Sequence, residues 1–225
     1  MELIKRNFLV GIAVCLLSYV IPCHAQSPNE TLQAEDVRQE NRIKINGYLR
    51  AGIFGGEKEI RNYYGEGALK LAVPVGAKAS AFSEVRYKAD GNGHHQFYIR
   101  EAYVNLNLGK FDFRAGEQIV LWGRADGFNP TNNVTPQDFC VFSPEEDDKR
   151  IGNFVVKGVF NPYPFRIEAD WIPVYKSSLF PFIGKPMGDG IVWKNERHPY
   201  RWKDRSFGLK IDLEKPSFDL SLSYY

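Results

Sequence analysis

The sequence predicts an all-β, antiparallel fold, and three observations carry the prediction. From Arg42 onward apolar residues recur at every second position, turns rich in Gly, Pro, Asn and Asp interrupt that alternation, and no segment after residue 25 shows a helical apolar stripe. A period of two places alternate side chains on opposite faces of a strand, so each segment has one apolar and one polar face.

Ile43, Ile45, Leu49, Ala51 and Ile53 share a face opposite Lys44, Asn46, Tyr48 and Arg50. Gly67, Leu69, Leu71 and Val73 then oppose Glu66, Ala68, Lys70 and Ala72, and Ala79, Ala81, Ser83, Val85 and Tyr87 oppose Lys78, Ser80, Phe82, Glu84, Arg86 and Lys88. Asp90-Gly91-Asn92-Gly93 is a turn into a strand with Ala102, Val104, Leu106 and Leu108 against Glu101, Tyr103, Asn105 and Asn107. Gly109-Lys110 closes a hairpin onto Phe111, Phe113 and Ala115, which oppose Asp112, Arg114 and Gln118. Gly116 to Leu121 reads as continued strand, and Trp122 to Asp138 as a long loop broken by Gly123, Gly127, Asn129-Pro130 and Thr135-Pro136.

A second hairpin is expected from Asn153 to Phe160 and Phe165 to Ile172, and Pro173 to Asp204 reads as irregular. Phe207, Leu209, Ile211 and Leu213, then Phe218, Leu220 and Leu222 beyond Pro216, complete about nine strands.

Alternation of this kind has two physical explanations. In a soluble sandwich the apolar face is core and the charged face meets water; in an outer-membrane barrel the apolar face meets lipid and the charged face lines the lumen. Strand length, short turns at one end with long loops at the other, aromatic residues near strand ends and an export signal favour the barrel.

That signal is Met1 to Ala25. Lys5 and Arg6 form its basic start, and Phe8 to Ile21 is apolar apart from Ser18, short of the roughly 20 residues of a spanning helix. Cys23-His24-Ala25 is a cleavage site, and Pro22 before Cys23 argues against lipidation. Gln26 to Asn41 is polar and acidic, a flexible periplasmic leader, so the barrel is assigned to residues 42–225. Removing Lys5 and Arg6 from 29 basic residues and Glu2 from 27 acidic ones leaves the mature chain near neutrality, with no basic block suited to nucleic acid. Cys140 becomes its single cysteine, and with only His94, His95 and His198 as bases it is read as an unpaired thiol, not a nucleophile.

Arg-Glu-Ala-Tyr-Val-Asn-Leu-Asn-Leu-Gly (Arg100 to Gly109), Phe113 to Pro130 with its Trp-Gly-Arg-Ala-Asp-Gly core, Asn133 to Phe139 and the acidic run Glu145 to Arg150 together resemble a family of Gram-negative outer-membrane proteins. It is catalogued as a domain of unknown function, number thirteen-oh-two. The resemblance implies a porin-like or exporter-like barrel, not an enzyme, that moves an unidentified solute. Its implied partners are outer-membrane lipid, the barrel-assembly machinery and an inner-membrane exporter, with no cofactor. Members are longer, and single-chain bacterial barrels have an even strand number, so the chain is expected to be an N-terminal fragment. The alternative is that Tyr224-Tyr225 imitates an aromatic barrel C-terminus.

Glu101, Arg114 and Gln118 fall on polar faces of adjacent strands, where they either form a lumen charge ladder or only satisfy one another. Trp122, Arg124 and Asp126 sit at the strand-to-loop break, as a constriction, a stacking site for a planar solute, or an anchor for the loop. The four acids Glu145 to Asp148 match no calcium-loop spacing and read as a solvated loop. The reading from another class is a secreted sandwich that binds carbohydrate through Trp122, Trp171, Trp193 and Trp202.

Overall fold

The computed structural model describes residues 42–55, 60–91, 93–122, 132–141, 143, 145–180, 186–187, 191–192 and 205–225. The signal, the leader, Arg124, Asp126, Trp193, His198 and Trp202 lie outside the described residues.

The fold is all-β. Strands β1 (Lys44–Gly55), β2 (Ile60–Val75), β3 (Ala79–Asp90), β4 (His95–Asn107), β5 (Phe111–Gln118), β6 (Asn153–Phe160) and β7 (Phe165–Ile172) are joined in chain order by antiparallel pairing. After a two-residue hairpin, β8 (Pro186–Met187) with β9 (Ile191–Val192), strands β10 (Ser206–Lys215) and β11 (Phe218–Tyr224) add to the β7 edge. The result is a nine-stranded meander, open between β1 and β11.

Connections differ between the two ends of the sheet. The β2–β3, β4–β5, β6–β7 and β10–β11 turns are short and share one end; the long connections from β5 to β6 and from β7 to β10 share the other. β5 stops at Gln118, so the expected strand through Leu121 is corrected: Val120 N–H donates to the Thr135 hydroxyl at 2.9 Å and not to a neighbouring strand. Within the same motif, Gly116 has φ +137°, and a Cβ there would stand 2.2 Å from the Ala102 carbonyl oxygen on β4. Only glycine fits that close approach.

Register aligns the faces across the whole sheet. One inward row runs Ser80, Asn105, Arg114, Lys157, Asp170 and Gly208; another runs Asn107, Asp112, Val159, Glu168, Lys210 and Ser223. The opposite face has rows such as Val75, Ala79, Leu106, Phe113, Gly158, Ala169, Leu209 and Tyr224.

Burial is the reverse of a soluble sheet. Glu66, Glu84, Arg86, Glu168, Asp170 and Asp212 are buried, whereas Ile45, Leu49, Leu69, Phe97, Ile99, Val104, Phe113, Leu209, Leu220 and Leu222 are exposed. Glu84 is 1 % exposed and Phe97 73 %. Small apolar clusters sit among the inward charges: Ala72, Phe82 and Tyr103 in one row, and Val120, Trp122, Val134, Val155 and Ile172 near the rim.

Candidate functional site

What buries the charged face is the β5–β6 connection, which folds back over it. Glu101, inward on β4, accepts the Ile119 N–H at 2.9 Å and starts the segment across. Trp122 then reaches over β6 to β7 and β10: its indole N–H donates to Glu168 Oε1 at 3.0 Å, and it is 1 % exposed. Gly208 on β10 makes room for the ring, since a Cβ there would lie 2.4 Å from Trp122 Cη2. The Tyr225 ring meets the indole edge-on, with centroids 6.4 Å apart. Thr135 ties the two arms of the root together by donating to the Val120 carbonyl at 2.6 Å.

Beyond the root the segment forms a narrow tip. Gln137 bridges to Arg150, and the Asp138 and Ile151 amides bond the Lys149 and Pro136 carbonyls at 2.6 and 2.9 Å. Phe139 stacks on Phe180 at 4.8 Å, which ties the base of the tip to the β7–β10 connection. The acidic run closes the tip as a four-residue 3-10 turn, Glu146–Lys149. Spacing of three pairs Glu146 with Lys149 at 2.5 Å within the turn and Asp147 with Arg150, the residue that caps it. Glu145 and Asp148 are left to face the wall.

Glu145, Glu146 and Asp147 are exposed, as expected of a solvated acidic loop, and Asp148 alone departs from that expectation. The Asp148 side chain is buried, and its carboxylate accepts from Arg50 Nη2, from Arg86 Nη1 at 2.9 Å and from the Ser143 hydroxyl. Burial works against its ionisation, but the Ser143 hydroxyl and the Arg86 and Arg50 guanidiniums outweigh it and hold the carboxyl below its ordinary range. Glu145 stands 3.7 Å from Arg50, largely in solvent.

The wall itself is a charge lattice. Glu66 Oε1 receives the Tyr48 hydroxyl at 2.7 Å, Arg50 at 3.0 Å and Arg86 at 3.1 Å. Arg86 Nε donates to Glu84 at 2.6 Å, and Arg100 and Lys70 approach the same carboxylate at 3.5 and 3.7 Å. A second knot lies under Trp122: Glu168 takes Arg166 at 2.6 Å and Lys157 at 3.8 Å, while Asp212 takes Lys210 at 3.0 Å and Arg166 at 3.4 Å.

Of the residues expected to form a lumen ladder, Glu101, Arg114 and Gln118 all face inward, as the alternation requires. Glu101 serves the crossing segment; Arg114 bonds Asn105 Oδ1 at 2.6 Å and lies 4.4 Å over the Tyr103 ring; Gln118 Nε2 donates to the Val155 carbonyl at 2.8 Å. Trp122 is buried and anchors the segment, so it offers no open stacking platform.

Arg50, Glu66, Glu84 and Arg86 were not singled out in the sequence, although their polar-face placement was legible; Arg100 shares the parity of the apolar Ala102 and joins the charged network at the irregularity in the β3–β4 register, which alternation does not show. Among the described residues no three His, Cys, Asp or Glu side chains are grouped to hold a metal ion. Cys140 is an exposed free thiol in the tip, and desolvation with the neighbouring Asp138 carboxylate pushes its ionisation above the ordinary value. Such a lattice can order water and sort solutes by charge. Compared with protein-family models, with curated proteins and with solved structures, the chain matches none.

Proposed function

We propose that the chain forms the wall of an outer-membrane channel or exporter barrel, inserted from the periplasm by the barrel-assembly machinery, with the charged face lining the solute path. The observation that carries this reading is the inversion of burial: the apolar face is exposed and the charged face is covered. An apolar face as wide as nine strands exceeds what soluble monomers leave to water, and lipid is the solvent that favours it.

Dimensions support the same reading. Phe97 on β4 and Leu108, one residue past its end, mark the two ends of the apolar face there, ten steps apart once the irregularity at Arg100 is discounted. At about 3.3 Å per step and the usual barrel tilt of roughly 40° this spans about 25 Å, the height of the lipid-facing band of outer-membrane barrels. Tyr63, Tyr87 and Phe97 near one rim, with Phe111, Tyr163 and Phe165 near the other, stand where interfacial girdles do. One end carries short turns alone and the other carries both long connections, which also fits periplasmic and external faces.

The chain is read as a transport component for an unidentified solute, coupled in its export role to an inner-membrane exporter, and not as an enzyme. The test is fractionation followed by conductance. The expected result for the full-length gene product is recovery with outer membranes, a gel mobility that changes on heating, and discrete single-channel steps in planar bilayers. Release with the soluble periplasm refutes the reading.

A further inference from the structure

Three guanidiniums converge on one region of the charged face, from Arg50 on β1, Arg86 on β3 and Arg100 on β4, with the Lys70 ammonium beside them. Among the described residues the wall supplies Glu66 and Glu84 as their counter-ions in this network, and the crossing segment adds Asp148 together with Glu145, which stands 3.7 Å from Arg50 and largely in solvent. With the tip withdrawn, and Asp148 and Glu145 with it, four of the described cations face Glu66 and Glu84 in this network, a local excess that draws an anion in from solution.

The two parts of the crossing segment are held by different forces. Its root is fixed by burial, with Val120, Trp122 and Val134 packed on Val155 and Ile172. Among the described residues, the Glu146–Lys149 turn at its tip is entirely charged, its N-terminus has no side-chain cap, and it is fastened to the arginine wall by Asp148, by Glu145 3.7 Å from Arg50 and by Arg100 Nη2 on the Asp147 carbonyl at 2.7 Å. Ionic fastenings of this kind are exchangeable for those of another anion with similar geometry, whereas the buried root is not. Tyr48 lines the patch beneath two of the arginines, with Arg50 at 5.3 Å and Arg86 at 5.6 Å from its ring.

We propose that this arginine patch is a binding site for a carboxylate-bearing anionic solute, and that Asp148 occupies it in cis until such a group displaces it. The site rests on the channel reading above and names the class of solute the channel takes. The tip is then a displaceable plug: in its resting place it narrows the path, and an arriving carboxylate takes its bonds to Arg50 and Arg86.

Citrate is the probe, with the full-length gene product in planar bilayers. Asp148→Asn is expected to raise chloride-over-potassium permeability severalfold. It also lowers the citrate concentration that blocks current by about tenfold or more, the change for losing a competing charge-assisted bond. On the wild-type chain a bimane at Cys140 reports the tip without any substitution, and its emission is expected to shift with citrate and not with chloride at equal ionic strength. If the variant fails to insert, the Cys140 response decides. A conducting wild type whose permeability ratio and citrate sensitivity equal those of Asp148→Asn, or whose Cys140 probe ignores citrate, overturns the proposal and leaves the channel reading standing. A chain that neither inserts nor conducts overturns both.

Discussion

Leu69→Arg separates lipid from water at the apolar face more directly than localisation does. Leu69 is 56 % exposed on β2 and lies six residues from Tyr63 and six from Val75, at the centre of the outward row on that strand. Six residues at about 3.3 Å, tilted by roughly 40°, put it about 15 Å from either rim, the midplane of a hydrocarbon core about 30 Å thick. An arginine there costs about 2–4 kcal/mol in lipid, near 3 at the midpoint, or on the order of a hundredfold in the folding equilibrium. At an ordinary water-exposed site the same change stays within about 0.5 kcal/mol. Leu108→Arg, at the rim, is expected to cost only about 0–1 kcal/mol, so the pair also reads out depth. Urea titration of chain inserted in phospholipid vesicles, followed by tryptophan fluorescence, measures both. Equal small costs at positions 69 and 108 refute the claim that this face meets lipid.

The root of the crossing segment gives a second prediction. Gly208→Ala drives a methyl into the Trp122 ring and is expected to cost about 1–3 kcal/mol. Much of that loss is recovered when Trp122→Leu is added, and strictly additive losses in a double-mutant cycle would show that the two do not touch. Gly116→Ala, with its Cβ against the Ala102 carbonyl, is expected to loosen the β4–β5 pairing and raise amide exchange at Tyr103 and Val104; unchanged protection rules this out. For pH, the Asp148 carboxyl is held below its unfolded value, so its fastening is complete above about pH 4 and is lost as the pH falls through the lower folded value. In detergent the Cys140 probe should therefore report tip release only in that acid range. Glu66 and Glu84 share the same arginines, so Asp148→Asn is the control, expected to show the released signal at neutral pH; a resting signal in that variant counts against the latch.

Much of the fold was legible without coordinates because strand alternation, turn residues and hairpin spacing are local. The pairs Asn153–Phe160 with Phe165–Ile172 follow from residues within a few positions of one another, and the inward placement of Glu101, Arg114 and Gln118 follows from period two alone. Even the internal pairing of the acidic turn was implicit in its spacing, since Glu146 and Asp147 each find a cation three residues on.

Which face is buried was not local. A period of two is identical for a sheet whose apolar side is core and for one whose apolar side is exposed, so the pattern admits both. The tertiary structure decides between them by folding the β5–β6 segment onto the charged side. That placement depends on contacts across 98 residues from Arg50 to Asp148 and 46 from Trp122 to Glu168, which no short window of sequence contains. Local alternation therefore determined the strands and the character of each face; the tertiary structure set the register between strands, and long-range ionic contacts and one buried tryptophan determined which face the chain covers with itself.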